Sequence, residues 1–209
     1  TAYEITYGDW SSDVCSSDLA TLVGVPAAFA LVRHTLPGRV LFNWLLLAAL
    51  LTPPVVSAVG VLLTYGPLGW LNSFVALACA HAAGGVPFVV INTAACLRRA
   101  DRDLERAAII HGASPLAATL RINLPLAWPG IAAGFILAFL YSAHELLIAA
   151  VVLNGADKPL SVKLWTAAQA PGATSVNVVS TLLIGVSILT AISVGACRSL
   201  AGQIGRAHV

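Results

Sequence analysis

The residues of this sequence whose types could do chemistry are few. Glu145 is a lone carboxylate in an apolar stretch, with Tyr141 four positions before it and His144 beside it, and His81 is the ionisable group of another apolar run. On a continuous helix Tyr141 and Glu145 share a face while His144 projects about 100° away, so His144 and Glu145 cannot both line one narrow surface. A carboxylate about sixteen residues into a membrane span needs a partner, a water-filled cavity or a proton. Glu145, with Tyr141 and His81 or His144, is therefore expected either to border a path that favours a cationic solute or to make a buried polar contact between helices. There is no Gly-x-x-x-x-Gly-Lys-Ser/Thr phosphate loop and no nucleophile–base constellation. Cys79, Cys96 and Cys197 lack the paired spacing of a zinc site or disulfide framework and read as small apolar packers. The expectation is no catalytic residue, no cofactor and no metal site.

The second set of informative residues lies in 101–125, the one long segment mixing charge with helical apolar spacing. Leu104, Ala107, Ala108, Ile110 and His111 predict a short amphipathic helix. Gly112 can end it in a left-handed conformation, and Ser114-Pro115 suits the cap and first position of a second short helix. Helix, tight turn and helix would form a compact docking surface for a soluble partner.

The elements that must position both sets are membrane helices. Of 209 residues, 58% are hydrophobic and only 10% charged, whereas a soluble domain carries about 25% charged residues. Residues 40–97 contain no Asp, Glu, Lys or Arg; as one helix they would be about 87 Å long against a ~30 Å hydrocarbon core, so the run crosses more than once. Disordered chains, disulfide scaffolds and cytosolic enzymes are excluded, and no sustained alternation supports an outer-membrane barrel. The fold class is all-α and polytopic. Five spans are expected, near 20–32, 41–63, 70–97, 129–153 and 175–197, the first of them lacking its beginning and the first helix of the parent missing ahead of it. Pro26, Pro53-Pro54, Pro87 and Gly84-Gly85 are expected to kink spans or let neighbours approach. Trp44, Trp70, Trp128 and Trp165 fall near span ends, as interfacial anchors do.

Both termini look foreign to this body. Gln203–Val209 can be encoded by a DNA string whose reverse complement encodes Asp13–Leu19, and that string resembles a sequencing-library adapter. Residues 1–19 and 203–209 are accordingly expected to be adapter-derived. Removing Glu4, Asp9, Asp13 and Asp18 from nine acids and Arg206 from eleven bases leaves five against ten, a charge of +5 rather than +2. Arg33, Arg39, Arg98, Arg99, Arg102, Arg106, Arg121 and Arg198 then fall on one side of the membrane and only Lys158 and Lys163 on the other. By the positive-inside rule the loop at about 98–128 is cytoplasmic.

In that loop Ala107, Ala108, Gly112, Ile122, Leu124 and Pro125 fit in register the Glu-Ala-Ala, three residues, Gly, nine residues, Ile-x-Leu-Pro motif, and the chain over 20–202 resembles the permeases of binding-protein-dependent ABC importers. Arg106 stands where the motif has its Glu, with Glu105 displaced by one. The stretch Phe139–Glu145 resembles the polyamine branch, with His144 where an Asp is usual. The resemblance implies a type I ABC importer transmembrane domain in a bacterial inner membrane, with an ATPase-coupling loop that includes Glu105, Arg106, Ala107, Ala108, Gly112, Ala113, Ile122, Leu124 and Pro125. It also implies partners: cytoplasmic ABC ATPase subunits, which hydrolyse the ATP; a second permease subunit, homologous or identical; a periplasmic or lipid-anchored solute-binding protein; and membrane lipid, with no nucleic acid. The implied solute is a polyamine or other small organic cation. The alternative is a secondary transporter or channel using Glu145.

Overall fold

The computed structural model describes residues 7–35 and 37–153 together with 162, 165–166, 181–182, 184–189 and 192. The regular elements among the described residues are all helices: α1 (Tyr7–Arg33), α2 (Arg39–Leu51), α3 (Pro54–Leu68), α4 (Phe74–Arg99), α5 (Arg102–Ile110), α6 (Pro115–Ala118), α7 (Leu124–His144) and α8 (Leu147–Val152), with a π-helical turn at Thr119–Asn123 between α6 and α7. Three stretches are long and apolar enough to cross a membrane: Asp13–Arg33, Phe74–Arg99 and Pro115–His144.

Helices α1, α4 and α7 form the centre. In lipid, helices gain little from burying apolar surface against one another, so close packing of small residues does the work. Gly130, Gly134 and Ala138 line one face of α7 at four-residue intervals. A Cβ on Gly130 would stand 2.6 Å from the Asn92 carbonyl oxygen, and one on Gly134 would stand 2.7 Å from Val89 Cα. Only glycine lets the α7 and α4 backbones come this near. Ala28, Leu31, Val90, Leu97, Ala127 and Ile131 complete one apolar core, and a second joins Ala58, Leu77 and Ala80 to Ile148 and Val152.

Two expectations are corrected. The span at 41–63 is not one kinked helix: α2 and α3 meet at 106°. Thr52 and Pro53 each precede a proline, which disfavours the helical region for both, and both are extended, with ψ of 125° and 138°. Two successive prolines therefore break the helix where one would bend it. The span expected at 129–153 begins earlier and ends earlier, because α6, the π turn and α7 run on as a single stretch that stops at His144. Helix α1 begins at Tyr7, within the segment expected to be adapter-derived, and buries Ser16 and Ser17. The fifth span, at 175–197, falls largely outside the described residues, as do Lys158, Lys163 and the terminal segment 203–209. Trp44, Trp70, Trp128 and Trp165 are all more than half exposed, as side chains facing a membrane interface would be.

Candidate functional site

The 101–125 segment folds by local rules legible residue by residue. Asp101 caps α5, its carboxylate accepting from Asp103 N–H at 2.9 Å. The helix ends at Gly112, whose φ is +92°. There Gly112 N–H donates to the Ile109 carbonyl and Ala113 N–H to the Ala108 carbonyl, both at 3.0 Å, the paired bonds of a Schellman motif. Ser114 accepts from Ala117 N–H at 3.2 Å and Pro115 starts α6. The wide turn that follows has a reason in Pro125. A proline ring clashes with the carbonyl four residues back and donates no hydrogen bond, and the π turn, closed by Leu124 N–H onto the Thr119 carbonyl, moves that carbonyl aside.

The expected helix, turn and helix is present, but its second helix is the root of α7 rather than a free element. Its fastening to α1 was not foreseen. Arg33, at the end of α1, places Nε 3.4 Å from Glu105 Oε2 and donates from Nη2 to Asn123 Oδ1 at 2.9 Å. Its side chain is 8% exposed and that of Glu105 22%. Arg102 Nη2 donates to the Val32 carbonyl at 2.6 Å, a second tie to the same helix end. Glu105, displaced by one from the motif position, thus faces inward. Arg106, in the motif position, is exposed and pairs with Asp103 at 3.1 Å, also exposed. Ala108, Ala113, Ile122 and Leu124 are half-buried, while Ala107 and Pro125 are exposed.

Between this segment and α1 lies a cleft of about 440 Å³ lined by Phe29, Arg33, Glu105, Ile109 and Leu116 among others. Beyond it Leu104, Ile109, Ile110 and Leu116 project from the segment, Ile110 being 82% exposed. Apolar side chains displayed on a short polar helix pair are what a soluble protein docks against. In sequence Arg33 and Asn123 carried only the signals of a charged span end and a loop amide, and nothing local linked either to Glu105.

The four membrane candidates do not form one site. His81 and Ser142 are buried together, with His81 Nδ1 2.7 Å from Ser142 Oγ. Ser142 Oγ lies 2.7 Å from Asp13 Oδ1 and receives the Ser16 hydroxyl at 2.9 Å. Ser142 thus bonds both His81 and Asp13, and whichever of them takes its one hydrogen sets the His81 tautomer. His81 Nε2 is buried without a partner. Tyr141 is half-buried, packed over Gly84 and tilted against Phe88 with ring centroids 5.8 Å apart. His144 is exposed and donates from Nδ1 to the Leu140 carbonyl at 2.7 Å.

Glu145 corrects the helical-wheel expectation. It lies not within a span but in the break after α7, with extended backbone at φ −78° and ψ 102°. Its buried carboxylate accepts from Leu147 N–H at 3.1 Å and Ile148 N–H at 3.2 Å, capping α8. The one-turn relation between Tyr141 and Glu145 does not apply across that break. Ser142, which sequence reading passed over, is the hub of the polar cluster. A serine in a membrane helix gives no local sign of what it bonds.

The profile of the family described as binding-protein-dependent transport system inner membrane component matches residues 20–200. The chain is 29% identical over 180 residues to the spermidine/putrescine transport system permease protein PotC of Escherichia coli (strain K12), covering 86% of this chain and 68% of that protein. To the putrescine transport system permease protein PotI of the same organism it is 29% identical over 178 residues, 82% of this chain and 63% of the other. A protein of Haloferax volcanii named "Probable molybdenum ABC transporter permease protein" is 32% identical over 192 residues, 85% of this chain and 70% of its own. Among solved structures, a chain of the MetNI methionine ABC transporter in inward-facing conformations superposes with a TM-score of 0.64 at 19% identity, covering 97% of this chain and 94% of that one. That last likeness bears on the fold alone.

Proposed function

From its membership of the binding-protein-dependent transport system inner membrane component family, we propose that this chain is the subunit through which a cytoplasmic ATPase drives solute across the membrane. As a member of that family it is a permease component of an ABC importer, a membrane protein and not itself an enzyme. The secondary transporter or channel weighed from Glu145 is set aside by that membership. The proposal adds a mechanism, partners and a solute class.

The observation that carries the mechanism is the fastening of the 101–125 segment. Residues Arg102–Ile110 dock on the ATPase through their apolar outer face, and the Gly112 turn holds α6 at a fixed angle to them. Because α6 is continuous with α7, and Arg33 binds both Glu105 and Asn123, a displacement of the docked helix reaches α7 through the chain and α1 through the guanidinium. The loop is cytoplasmic, the ATP is hydrolysed by the partner, a second permease completes the pathway, and a solute-binding protein delivers to the opposite face. Glu105 serves here as an internal strut, and Arg106 presents positive charge to the ATPase.

The solute proposed is a small organic cation, supported by the two polyamine permeases among the relatives. The Haloferax relative, named for molybdenum, argues that ancestry alone does not set the solute. Glu145 borders the pathway at the α7–α8 break, and Tyr141, His81 and His144 contribute to it from separate positions on α7 and α4 rather than as one cluster with Glu145. Residues 1–19 and 203–209 are proposed to be adapter-derived, so that Asp13 and Ser16 stand in for the natural partners of Ser142 and His81. The test is reconstitution of the chain with an ATPase, a second permease and a binding protein encoded beside it in the source DNA. Solute-stimulated hydrolysis and uptake of a polyamine are expected. Hydrolysis that ignores this chain would overturn the coupling, and uptake of a different solute would overturn only the solute class.

A further inference from the structure

At the end of α1 lies a second concavity, of about 580 Å³. Its lining includes Val32 from α1, Arg39 from the start of α2, Arg98 and Arg99 from the end of α4, and Asp101 and Arg102 from the start of α5. Four arginines from three elements thus line one hollow together with one aspartate. That carboxylate is already engaged with Asp103 N–H, and one Arg102 nitrogen is engaged with the Val32 carbonyl. Arg39, Arg98 and Arg99 form no ion pair among the described residues. The positive-inside rule explains arginines at these helix ends, but not their convergence on one hollow, where like charges repel unless an anion sits between them.

We infer that this hollow is a binding site for a phosphate-bearing anion, and that the anion is the headgroup of an acidic phospholipid. The guanidinium fork matches phosphate oxygens in pairs, and basic pockets between helices at this membrane face take such headgroups. The lipid source is favoured by what stands next to Arg39. Val40, Leu41 and Trp44 on α2 are 70%, 64% and 66% exposed, an apolar strip leading away from the hollow along which acyl chains can lie. A soluble phosphate would use the arginines and leave the strip idle. The inference rests on the proposed placement of these helix ends at the cytoplasmic membrane face.

The test is native mass spectrometry of the detergent-solubilised full chain with dioleoyl phosphatidylglycerol or dioleoyl phosphatidylcholine. Preference for the acidic lipid by at least roughly tenfold is expected, falling to none in R39Q/R98Q/R99Q. The charge-preserving R39K/R98K/R99K should lose most of the preference, since ammonium groups keep the field but not the forked geometry. Equal binding of both lipids, or full preference in the glutamine variant, overturns the site. Full preference in the lysine variant overturns it in favour of diffuse surface charge. If excess inorganic phosphate abolishes the preference, the pocket belongs to a soluble anion and the lipid assignment falls. Binding in detergent is blind to sidedness, whereas labelling of His111→Cys in a chain whose four native cysteines are changed to serine, from one side of sealed vesicles, reads sidedness alone, so the two readings fail separately.

Discussion

The chain interrupts its helices at Gly112 and at Glu145, and the two interruptions are built on opposite principles. At Gly112 the break lies among exposed residues, the orphaned carbonyls of α5 are met by backbone N–H groups, and what the position demands is a conformation, φ +92°. At Glu145 the carboxylate itself is buried, and what the position demands is an acceptor, which it supplies to Leu147 and Ile148 N–H. An exposed helix break needs a permissive backbone; a buried one must carry its own hydrogen-bond partner. The same carboxylate can therefore be structural, whatever it also does to a solute.

Breaking the first interruption should have the largest effect on function. Gly112→Val places a β-branched residue at positive φ, a strain of about 1–2 kcal/mol, and the chain relieves it by swinging α6 off its angle. Insertion into the membrane should survive while solute-stimulated ATP hydrolysis in the reconstituted importer falls by about tenfold, a loss of ~1.4 kcal/mol in coupling. Wild-type uptake by this variant would refute the coupling mechanism.

Arg33→Ala strikes the tie between that segment and α1. Removing one member of a buried ion pair costs about 3–5 kcal/mol, and the partial exposure of Glu105 puts this case at the low end or below. Scanning fluorimetry in detergent should show a clear fall in unfolding temperature. Arg33→Ala/Glu105→Ala should recover part of the loss, since neither charge is then left alone; a double variant no better than the sum of the singles would deny the tie any energetic role.

At the second interruption, Glu145→Ala and Glu145→Gln separate acceptor from charge. Alanine leaves two N–H groups without their acceptor, an expected loss of about 2 kcal/mol, whereas glutamine keeps an acceptor oxygen and should stay near wild-type stability. If Glu145 also borders a cation path, uptake falls in the stable Gln variant. Equal stability of the Ala and Gln variants would remove the capping role, and unchanged uptake in Gln would remove the pathway role.

The smallest effect should come from Ser114→Ala, which deletes the cap of α6 in an exposed setting. The loss is about 1 kcal/mol or less, because water can take over the freed N–H. A drop as large as that of Arg33→Ala would mean that the turn is held by its cap and not by the glycine.

What sequence could and could not reveal follows from the range of the interactions. The Gly112 turn, the Ser114-Pro115 start and the membrane class were legible because capping and hydropathy act within a few residues. The break at Thr52-Pro53-Pro54 was legible as a disturbance, but its 106° was not, since the angle depends on each residue before a proline turning extended. Glu145 was misplaced because an unbroken apolar run was taken to be an unbroken helix, and its capping bonds exist only once the helix has stopped. Arg33 with Glu105 and Asn123, and Ser142 with His81, join residues far apart in the chain. Only the packing of α1, α4 and α7 brings them together, and that packing rests on small side chains such as Gly134 whose purpose appears only beside Val89.

The continuous stretch from Pro115 to His144 has one mechanical property that its parts do not. It is clamped near its middle, where Gly130 and Gly134 press against α4, and is loaded at one end by the α5 turn while the other end stops at Glu145. Counting from residue 132, Leu116 is about 24 Å away and Glu145 about 20 Å away along the axis. The stretch is thus a lever with its fulcrum at the glycine crossing and arms of nearly equal length. Under the proposed coupling, a tilt imposed by the partner docked on α5 would arrive at the far break at almost full size and in the opposite direction.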